Sequence, residues 1–192
     1  MSASGQGKRS QSLLKRRDIL GLGGGAATRA VVGVDADSGS ESESAIKAFL
    51  GSFKHTGGKA DTDGRDRAID DVVKAMNPLV RSIARSRLKE TNPIAASLKL
   101  TLVGKSLKSD MDGRAYTAPL DGSTVTVKGI TGDELELHLE IASDSFKQVF
   151  LGDDKGRTNT FRREGDALVL NVRVHSKQLP KDLLYKLSYG PA

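Results

Sequence analysis

Four polar side chains in the C-terminal half of the chain have the type and position to hold a ligand. Phe146 and Phe150 share one face of a strand, and Gln148 lies between them in the same phase. In the next apolar segment, Phe161 shares its phase with Asn159 and Arg163. Polar groups that point into an apolar interior must be satisfied by one another, by water or by a ligand. The candidates for lining a small-ligand pocket are Gln148, Asn159, Arg163 and Tyr185.

These four residues have a second interpretation. They could form a structural polar cluster at the mouth of a barrel, in which the groups satisfy one another and bind nothing. If instead they surround a pocket walled by Leu and Val, the ligand would be apolar or amphipathic. The sequence leaves both interpretations open.

The sequence offers no catalytic or metal-binding set. It has no cysteine, which excludes disulfide bonds, cysteine zinc sites and thiol nucleophiles. No serine lies in a Gly-x-Ser-x-Gly turn. The histidines fall in separate segments without the i, i+4 spacing of a metal site; they are His55, His138 and His175. We therefore expect a non-enzymatic protein without cofactor or metal.

Two glycine-containing stretches match phosphate-binding loops in composition only. Residues 21–26 fit the pattern G-x-G-x-x-A, but charged residues precede them where that motif requires a buried strand. Residues 103–106 carry the end of a P-loop, but Lys99 stands at the position of its first glycine and no helical pattern follows. We interpret 103–106 as a hairpin turn.

Most of the positive charge lies at the N-terminus. The chain has a formal net charge of +6, and residues 1–36 hold six basic and two acidic residues, a net of +4. The remaining 156 residues carry only +2. A dispersed +2 is an ordinary solvated surface, so we expect no nucleic-acid partner.

The first 36 residues resemble a twin-arginine export leader. Arg16 and Arg17 precede a variable residue and two apolar residues, a glycine-rich apolar stretch follows, and Val34–Ala36 supplies small residues before a cleavage point. Two features depart from the pattern: Lys15 stands where Ser or Thr is usual, and Arg29 interrupts the apolar stretch.

This resemblance implies the twin-arginine translocon as a partner during export, and a periplasmic or extracellular location. The mature protein would have no stable membrane insertion, because no run approaches the roughly 20 apolar residues that span a bilayer. The alternatives are an organelle transit peptide, or a cytoplasmic protein with a disordered basic tail.

Helical patterns follow the leader. Residues 37–44 are acidic and serine-rich and predict a flexible linker, and the helical spacing of apolar residues over 45–53 predicts a short amphipathic helix. Two more helices are expected over 66–76 and 78–90. Pro78 cannot lie inside one continuous helix, so Asn77 is expected to cap the second.

From residue 98 onward, apolar residues alternate with polar ones. This period of two predicts about eight strands without intervening helices, so the sheet must be antiparallel. Inward positions include Leu137, Leu139, Leu170 and Val172. The expected fold class is α+β: N-terminal helices followed by an antiparallel meander of about eight strands that closes into a barrel. Residues 45–192 would form this helix-capped barrel domain.

Part of the C-terminal region resembles a known type of protein. The segments that carry the resemblance are 148–150, 155–161, 168–172, 179–180 and 184–187. They are similar to small exported bacterial proteins with a lipocalin-like barrel, over about residues 67–190. The chain has no Trp, so it lacks the Gly-x-Trp signature of true lipocalins. The resemblance implies a barrel architecture, which by itself does not define function.

Two functions fit these observations. The first is an exported, non-enzymatic protein that binds a small apolar or amphipathic ligand inside the barrel. The second is a structural or interaction module of the cell envelope whose barrel is filled with side chains. An eight-stranded barrel is wide enough for either, and the volume of its internal cavity discriminates between them.

Overall fold

A computed structural model describes residues 38–192. The leader predicted for residues 1–36, including Arg16 and Arg17, lies outside the described residues. The helices are α1 (Ser38–Lys47), α2 (Gly58–Lys74) and α3 (Arg81–Thr91), with a 3₁₀ turn at Pro78–Val80. The strands are β1 (Gly51–His55), β2 (Ser97–Val103), β3 (Ser106–Met111), β4 (Arg114–Pro119), β5 (Val125–Lys128), β6 (Glu134–Ile141), β7 (Ser145–Leu151), β8 (Lys155–Glu164), β9 (Ala167–Ser176) and β10 (Leu183–Pro191).

All ten strands belong to one antiparallel sheet. Their order is β4-β3-β2-β1-β10-β9-β8-β7-β6-β5, so the pairing of β1 with β10 joins the first strand to the last. The edge strands β4 and β5 approach each other without a hydrogen-bonded ladder, and β4 also approaches β6. The sheet is therefore a nearly closed barrel, which confirms the predicted α+β class with an antiparallel meander.

The helices are inserted into the sheet rather than placed before it. Strand β1 precedes α2 and α3, and the segment 45–53 that predicted a helix divides between the end of α1 and the start of β1. Gly51 has a φ of +147°, a conformation that favours glycine, and it separates the two elements. Phe53 is buried as a residue of β1, whereas Ile46 lies in α1 and Phe49 lies just after it. The helical spacing of these three apolar residues therefore does not come from a single helix.

The predicted linker over 37–44 also differs from the structure, because α1 begins at Ser38. Its serine-rich first turns lack apolar residues, which is why the composition indicated a linker. The helix is stabilised where it ends: Ile46 is fully buried, and Lys47 pairs with Glu43 one turn earlier at 2.9 Å.

The break between α2 and α3 follows the prediction. Asn77 accepts a hydrogen bond from the Leu79 N–H on its side-chain oxygen at 3.0 Å, and Pro78 occupies the first position of the 3₁₀ turn. Helix α2 begins at Gly58, earlier than predicted, and it buries Ile69, Val72 and Val73. Among the described residues, no helix is both long and apolar enough to cross a bilayer.

The alternating residues of the strands form the core. The four predicted inward residues Leu137, Leu139, Leu170 and Val172 are all buried. Phe146 and Phe161 are paired across β7 and β8, and their rings stack with centroids 4.5 Å apart. Phe49, which follows α1, packs edge-on against Phe146 at 5.1 Å. Side chains therefore fill the barrel at this level.

Candidate functional site

The strand register brings three of the four predicted residues into one layer of the barrel. Gln148 is paired with Asn159, Asn159 with Val172, and Val172 with Tyr185. All three polar side chains are buried. This layer lies next to the layer of Phe146 and Phe161.

The residue that joins part of this layer is Arg157, two positions before Asn159 on the same face of β8. Its Nε donates to Asn159 Oδ1 at 2.8 Å, its Nη1 to Asn92 Oδ1 at 3.2 Å, and its Nη2 to the Tyr185 hydroxyl at 3.4 Å. Asn92 follows α3 and is fixed there, because its amide donates to the Leu88 carbonyl at 2.9 Å. The cluster therefore connects the end of α3 to two strands of the barrel.

The guanidinium of Arg157 has only neutral acceptors. It is half-buried, and it forms no ion pair with any carboxylate among residues 38–192. A guanidinium has five N–H donors, and three of them are used here. A partly desolvated cation without a counter-charge is a site at which an anion is favourable.

A cavity of about 230 Å³ opens at Arg157 and Asn159. Its walls are mostly apolar, and its polar lining includes a second arginine, Arg114, on β4. The other lining residues are Pro93, Ala95, Met111, Asp112, Tyr116, Gly129, Ile130, Leu135 and Phe150. A second cavity of about 200 Å³ shares Arg157, Ile130 and Leu135 with the first. The guanidinium therefore faces two adjoining spaces.

Asp112 fixes one side of the cavity. In the tight turn between β3 and β4, Asp112 and Gly113 have φ values of +51° and +82°. The Asp112 carboxylate accepts hydrogen bonds at 2.8 Å from the Ala96 N–H, the Ser97 N–H and the Ser97 hydroxyl. Burial opposes the charge of Asp112, but these hydrogen bonds outweigh it and lower its pKa. The carboxylate thus holds the loop before β2 against the hairpin.

Tyr116 contributes a neutral hydroxyl to the cavity. Burial raises its pKa, although the charges of Arg114 and Arg157 act in the opposite direction. Its ring packs edge-on against Phe150 with centroids 5.0 Å apart. Tyr116 and Phe150 therefore make this part of the cavity wall aromatic and uncharged.

Gln148 lies outside the lining of the cavity. Its Nε2 donates to the Ser109 hydroxyl on β3 at 2.6 Å, which links β7 to β3 through the interior. Both residues are buried, and Gln148 Oε1 has no hydrogen-bond partner. Gln148 is thus a link inside the barrel and does not face the space at Arg157.

Arg163 is separated from the other three predicted residues. Its Nε donates to the Ala48 carbonyl at 2.9 Å, its Nη1 donates to the Asp166 carbonyl at 2.8 Å, and its guanidinium lies 5.1 Å from the Phe53 ring centroid. It shares the phase of Asn159 but lies four residues further along β8, beyond Phe161. The predicted grouping of Arg163 with Gln148 and Asn159 is therefore not formed.

His55 lies next to an acidic side chain from the following helix. Its Nε2 lies 3.0 Å from Asp61 Oδ2, which also accepts the Ser188 N–H at 2.6 Å. These bonds connect β1, α2 and β10. No group of three or more potential metal ligands is found within residues 38–192.

The residues that sequence reasoning missed had signals of different strength. Arg157 has the same phase as Asn159 and Phe161, so the alternation could have identified it. The prediction included Asn159 and Phe161 but not Arg157, which lies near the start of β8 at Lys155. Asn92 lines the second cavity, and Arg114 and Tyr116 line the first. All three come together through tertiary folding of a loop and a hairpin, which no sequence period indicates.

The sequence matches no protein-family model and no curated protein. Solved structures with a similar fold include the REP1-NXSQ fatty acid transporter, with 11% identity, a TM-score of 0.49, and coverage of 76% of this chain and 97% of that one. Another is a Schistosoma mansoni fatty acid binding protein in complex with arachidonic acid, at 12% identity, a TM-score of 0.44, and 77% and 98% coverage. A luciferase domain from the dinoflagellate Lingulodinium polyedrum has 11% identity, a TM-score of 0.47, and 74% and 41% coverage. At these identities the similarity concerns architecture alone.

Proposed function

We propose that this protein is a non-enzymatic binding protein for a small amphipathic ligand with an anionic headgroup. The observation that carries the proposal is Arg157, a half-buried cation that lines a cavity and has only neutral partners. This refines the expectation of an apolar or amphipathic ligand, because it assigns the polar end of the ligand to one side chain.

The headgroup would bind at the free N–H groups of Arg157. Carboxylates, sulfonates and phosphates accept two parallel hydrogen bonds from a guanidinium, which gives both strength and orientation. Arg114 lines the same cavity, and this exposed residue adds a second positive charge to the site. Asp112 is the acid that lines this cavity, and its oxygens are already engaged by Ala96 and Ser97.

The apolar part of the ligand would lie against the remaining walls. Phe150, Leu135 and Ile130 provide apolar surface beside the guanidinium. The cavity volume of about 230 Å³ lies below the roughly 300–1,000 Å³ of sites for drug-sized ligands. We therefore expect a compact ligand or a short chain.

The second candidate function is a structural or interaction module with a filled barrel. It is favoured by the aromatic layer of Phe49, Phe146 and Phe161, whose rings pack directly against one another. The cavity lies at a different level, between the α3–β2 loop and the hairpins β3–β4 and β5–β6. In the module interpretation, this cavity would remain empty and Arg157 would serve only to hold Asn92 and Tyr185.

Two fluorescent probes that share an aromatic scaffold test the proposal. Anilinonaphthalene sulfonate carries an anionic group, and N-phenyl-1-naphthylamine does not. We expect Arg157→Gln to weaken binding of the sulfonate about tenfold or more, because a hydrogen-bonded charge pair contributes about 1.5–3 kcal/mol. Binding of the neutral probe should change little.

Arg162→Gln is the matched control, because Arg162 is an exposed, outward-facing arginine five residues after Arg157 on the same strand. It removes the same charge from the protein and should leave the affinity for the sulfonate unchanged. Equal losses for the two variants, or no saturable binding to the unmodified protein, would contradict the proposal. Urea unfolding of both variants shows whether either substitution alters the fold.

A further inference from the structure

Three of the seven exposed large apolar side chains of the described residues, including the most exposed one, lie in one short segment. Leu79 is 86% exposed, Ile83 is 59% exposed and Val80 is 45% exposed. They lie on the 3₁₀ turn and the first turn of α3, within five residues of one another. Single exposed apolar residues are ordinary on protein surfaces, but such a cluster marks an interaction surface.

Helix α3 contributes little to the core. None of its residues is fully buried, and it packs mainly against α2 and the 3₁₀ turn. A groove of about 350 Å³ runs along it. The groove is lined by Met76, Val80, Ile83, Ala84, Arg87, Leu88, Gln178 and Leu179. We call the outer surface formed by Leu79, Val80, Ile83 and Arg87 the α3 face.

The charge around the α3 face is positive. Residues 75–89 include four basic side chains and no acidic one. Arg85 pairs with Asp70 and Lys89 pairs with Asp66, both at 2.7 Å. Arg81 donates to the carbonyls of Met76 and Lys74, so its charge is not compensated by a carboxylate.

Two further groups add to this charge. Arg87 forms no ion pair with any other described residue, and it lines the groove beside Ile83. The loop that contributes Leu179 to the groove also carries Lys177 and Lys181, which are exposed. Apolar side chains are therefore surrounded by cations that remain available to a partner.

We propose that the α3 face docks reversibly onto an anionic lipid bilayer. Cations next to protruding apolar side chains are the combination that binds the headgroup region, where the apolar side chains enter the interface and the cations contact lipid phosphates. Leu79 stands outside the lining of the groove, so a peptide lying in the groove would leave it in water, whereas a bilayer surface covers it. A second copy of the same face would be repelled by its own positive charge.

The absence of cysteine allows a direct test on the full chain. A polarity-sensitive fluorophore is attached to the single thiol of Leu79→Cys or of Leu184→Cys. Leu184 on β10 is the matched control, because it is 60% exposed and is not one of the residues that form the α3 face. Each labelled protein is titrated with phosphatidylglycerol vesicles and with phosphatidylcholine vesicles.

We expect a blue shift at position 79 with the anionic vesicles, no shift at position 184, and no shift at either position with the neutral vesicles. Arg87→Glu should raise the lipid concentration needed for half-maximal shift at position 79 about tenfold or more. Arg162→Glu makes the same charge change elsewhere, and it should have a much smaller effect. The shift should also weaken with added salt.

Every other pattern overturns the proposal. If vesicles bind but neither label shifts, another part of the chain makes the contact. If both labels shift alike, the association is not through the α3 face. If position 79 is silent with vesicles but responds to an acidic protein, the partner is a protein rather than a bilayer.

Discussion

Arg157 and Arg163 lie six residues apart on the same face of β8, and their surroundings give them different roles. Arg157 faces a cavity and contacts only neutral side chains. Arg163 donates to two backbone carbonyls and covers the ring of Phe53. The alternation of the strand predicted the face on which Arg163 lies, but not its partners, because these come from the segment after α1 and from the β8–β9 turn.

We predict that Arg163→Ala destabilises the protein without changing ligand affinity. The substitution removes two hydrogen bonds and a cation–π contact, which we expect to lower the free energy of unfolding by about 1–2 kcal/mol. Urea unfolding measures the loss, and titration with anilinonaphthalene sulfonate measures binding. Arg162→Ala, on the outer face, should change neither quantity. A loss of sulfonate affinity in Arg163→Ala would place a ligand contact at this end of the barrel.

At the level of elements, Asp112 joins two of the segments that line the cavity, the α3–β2 loop and the β3–β4 hairpin. Its carboxylate holds the N–H groups of Ala96 and Ser97, so the loop from Asn92 to β2 is fixed beside the β3–β4 turn. The same loop supplies Asn92 to Arg157. The ionised carboxylate of Asp112 therefore helps to hold Asn92 in position against Arg157.

We predict a pH-dependent contribution from Asp112. Its pKa in the folded chain is lowered from the ordinary value of 3.8, so the folded state favours the carboxylate. This stabilisation is fully present above the ordinary pKa and is lost as the pH falls through the lowered pKa. The stability difference between the unmodified protein and Asp112→Asn should be constant near neutral pH and should shrink below about pH 4.

Urea unfolding of both proteins across this pH range measures the difference. Asp144→Asn, at an exposed acid in the β6–β7 turn, is the control. A difference between the unmodified protein and Asp112→Asn that stays constant down to pH 2 would show that the carboxylate charge does not hold the loop.

The structure has ten strands where about eight were predicted, and the two that the alternation did not predict are β1 and β3. Both lack the pattern on which the prediction relied. In β3 the inward positions alternate between Leu107, Ser109 and Met111, so a buried serine interrupts the apolar series. Strand β1 has five residues and a single buried apolar side chain, Phe53. Phe53 also continues the helical spacing of Ile46 and Phe49, so the sequence predicted a helix there. Longer strands such as β6 and β9 have several inward apolar residues, and for this reason their alternation predicted them.

At the scale of the whole molecule, the described barrel carries its cavity at one end and a filled interior at another. The filled layers follow from apolar alternation and could be predicted. The cavity could not be predicted, because it depends on how a loop after α3 and two hairpins meet. The pairing of β1 with β10 was not expected either, since it requires the helices to be inserted after the first strand.

We propose that residues 1–36 direct export through the twin-arginine translocon. Replacing both Arg16 and Arg17 with Lys should leave the precursor in the cytoplasm, because the pathway recognises the paired arginines. Fractionation of cells that express each form, followed by N-terminal sequencing, measures the outcome, and the mature chain should begin near residue 37. Equal export of the two forms would favour the alternative of a basic tail or another targeting segment.

In the proposed function, Arg157 holds the anionic end of a small amphipathic ligand inside the barrel. A crystal structure of the protein with octanoate tests it most directly. We expect the carboxylate oxygens within hydrogen-bond distance of the Arg157 Nη atoms, with the alkyl chain lying against Phe150 and Leu135. Octanoate bound elsewhere, or a cavity that stays empty at saturating octanoate while Arg157 keeps only its contacts to Asn92, Asn159 and Tyr185, would contradict it.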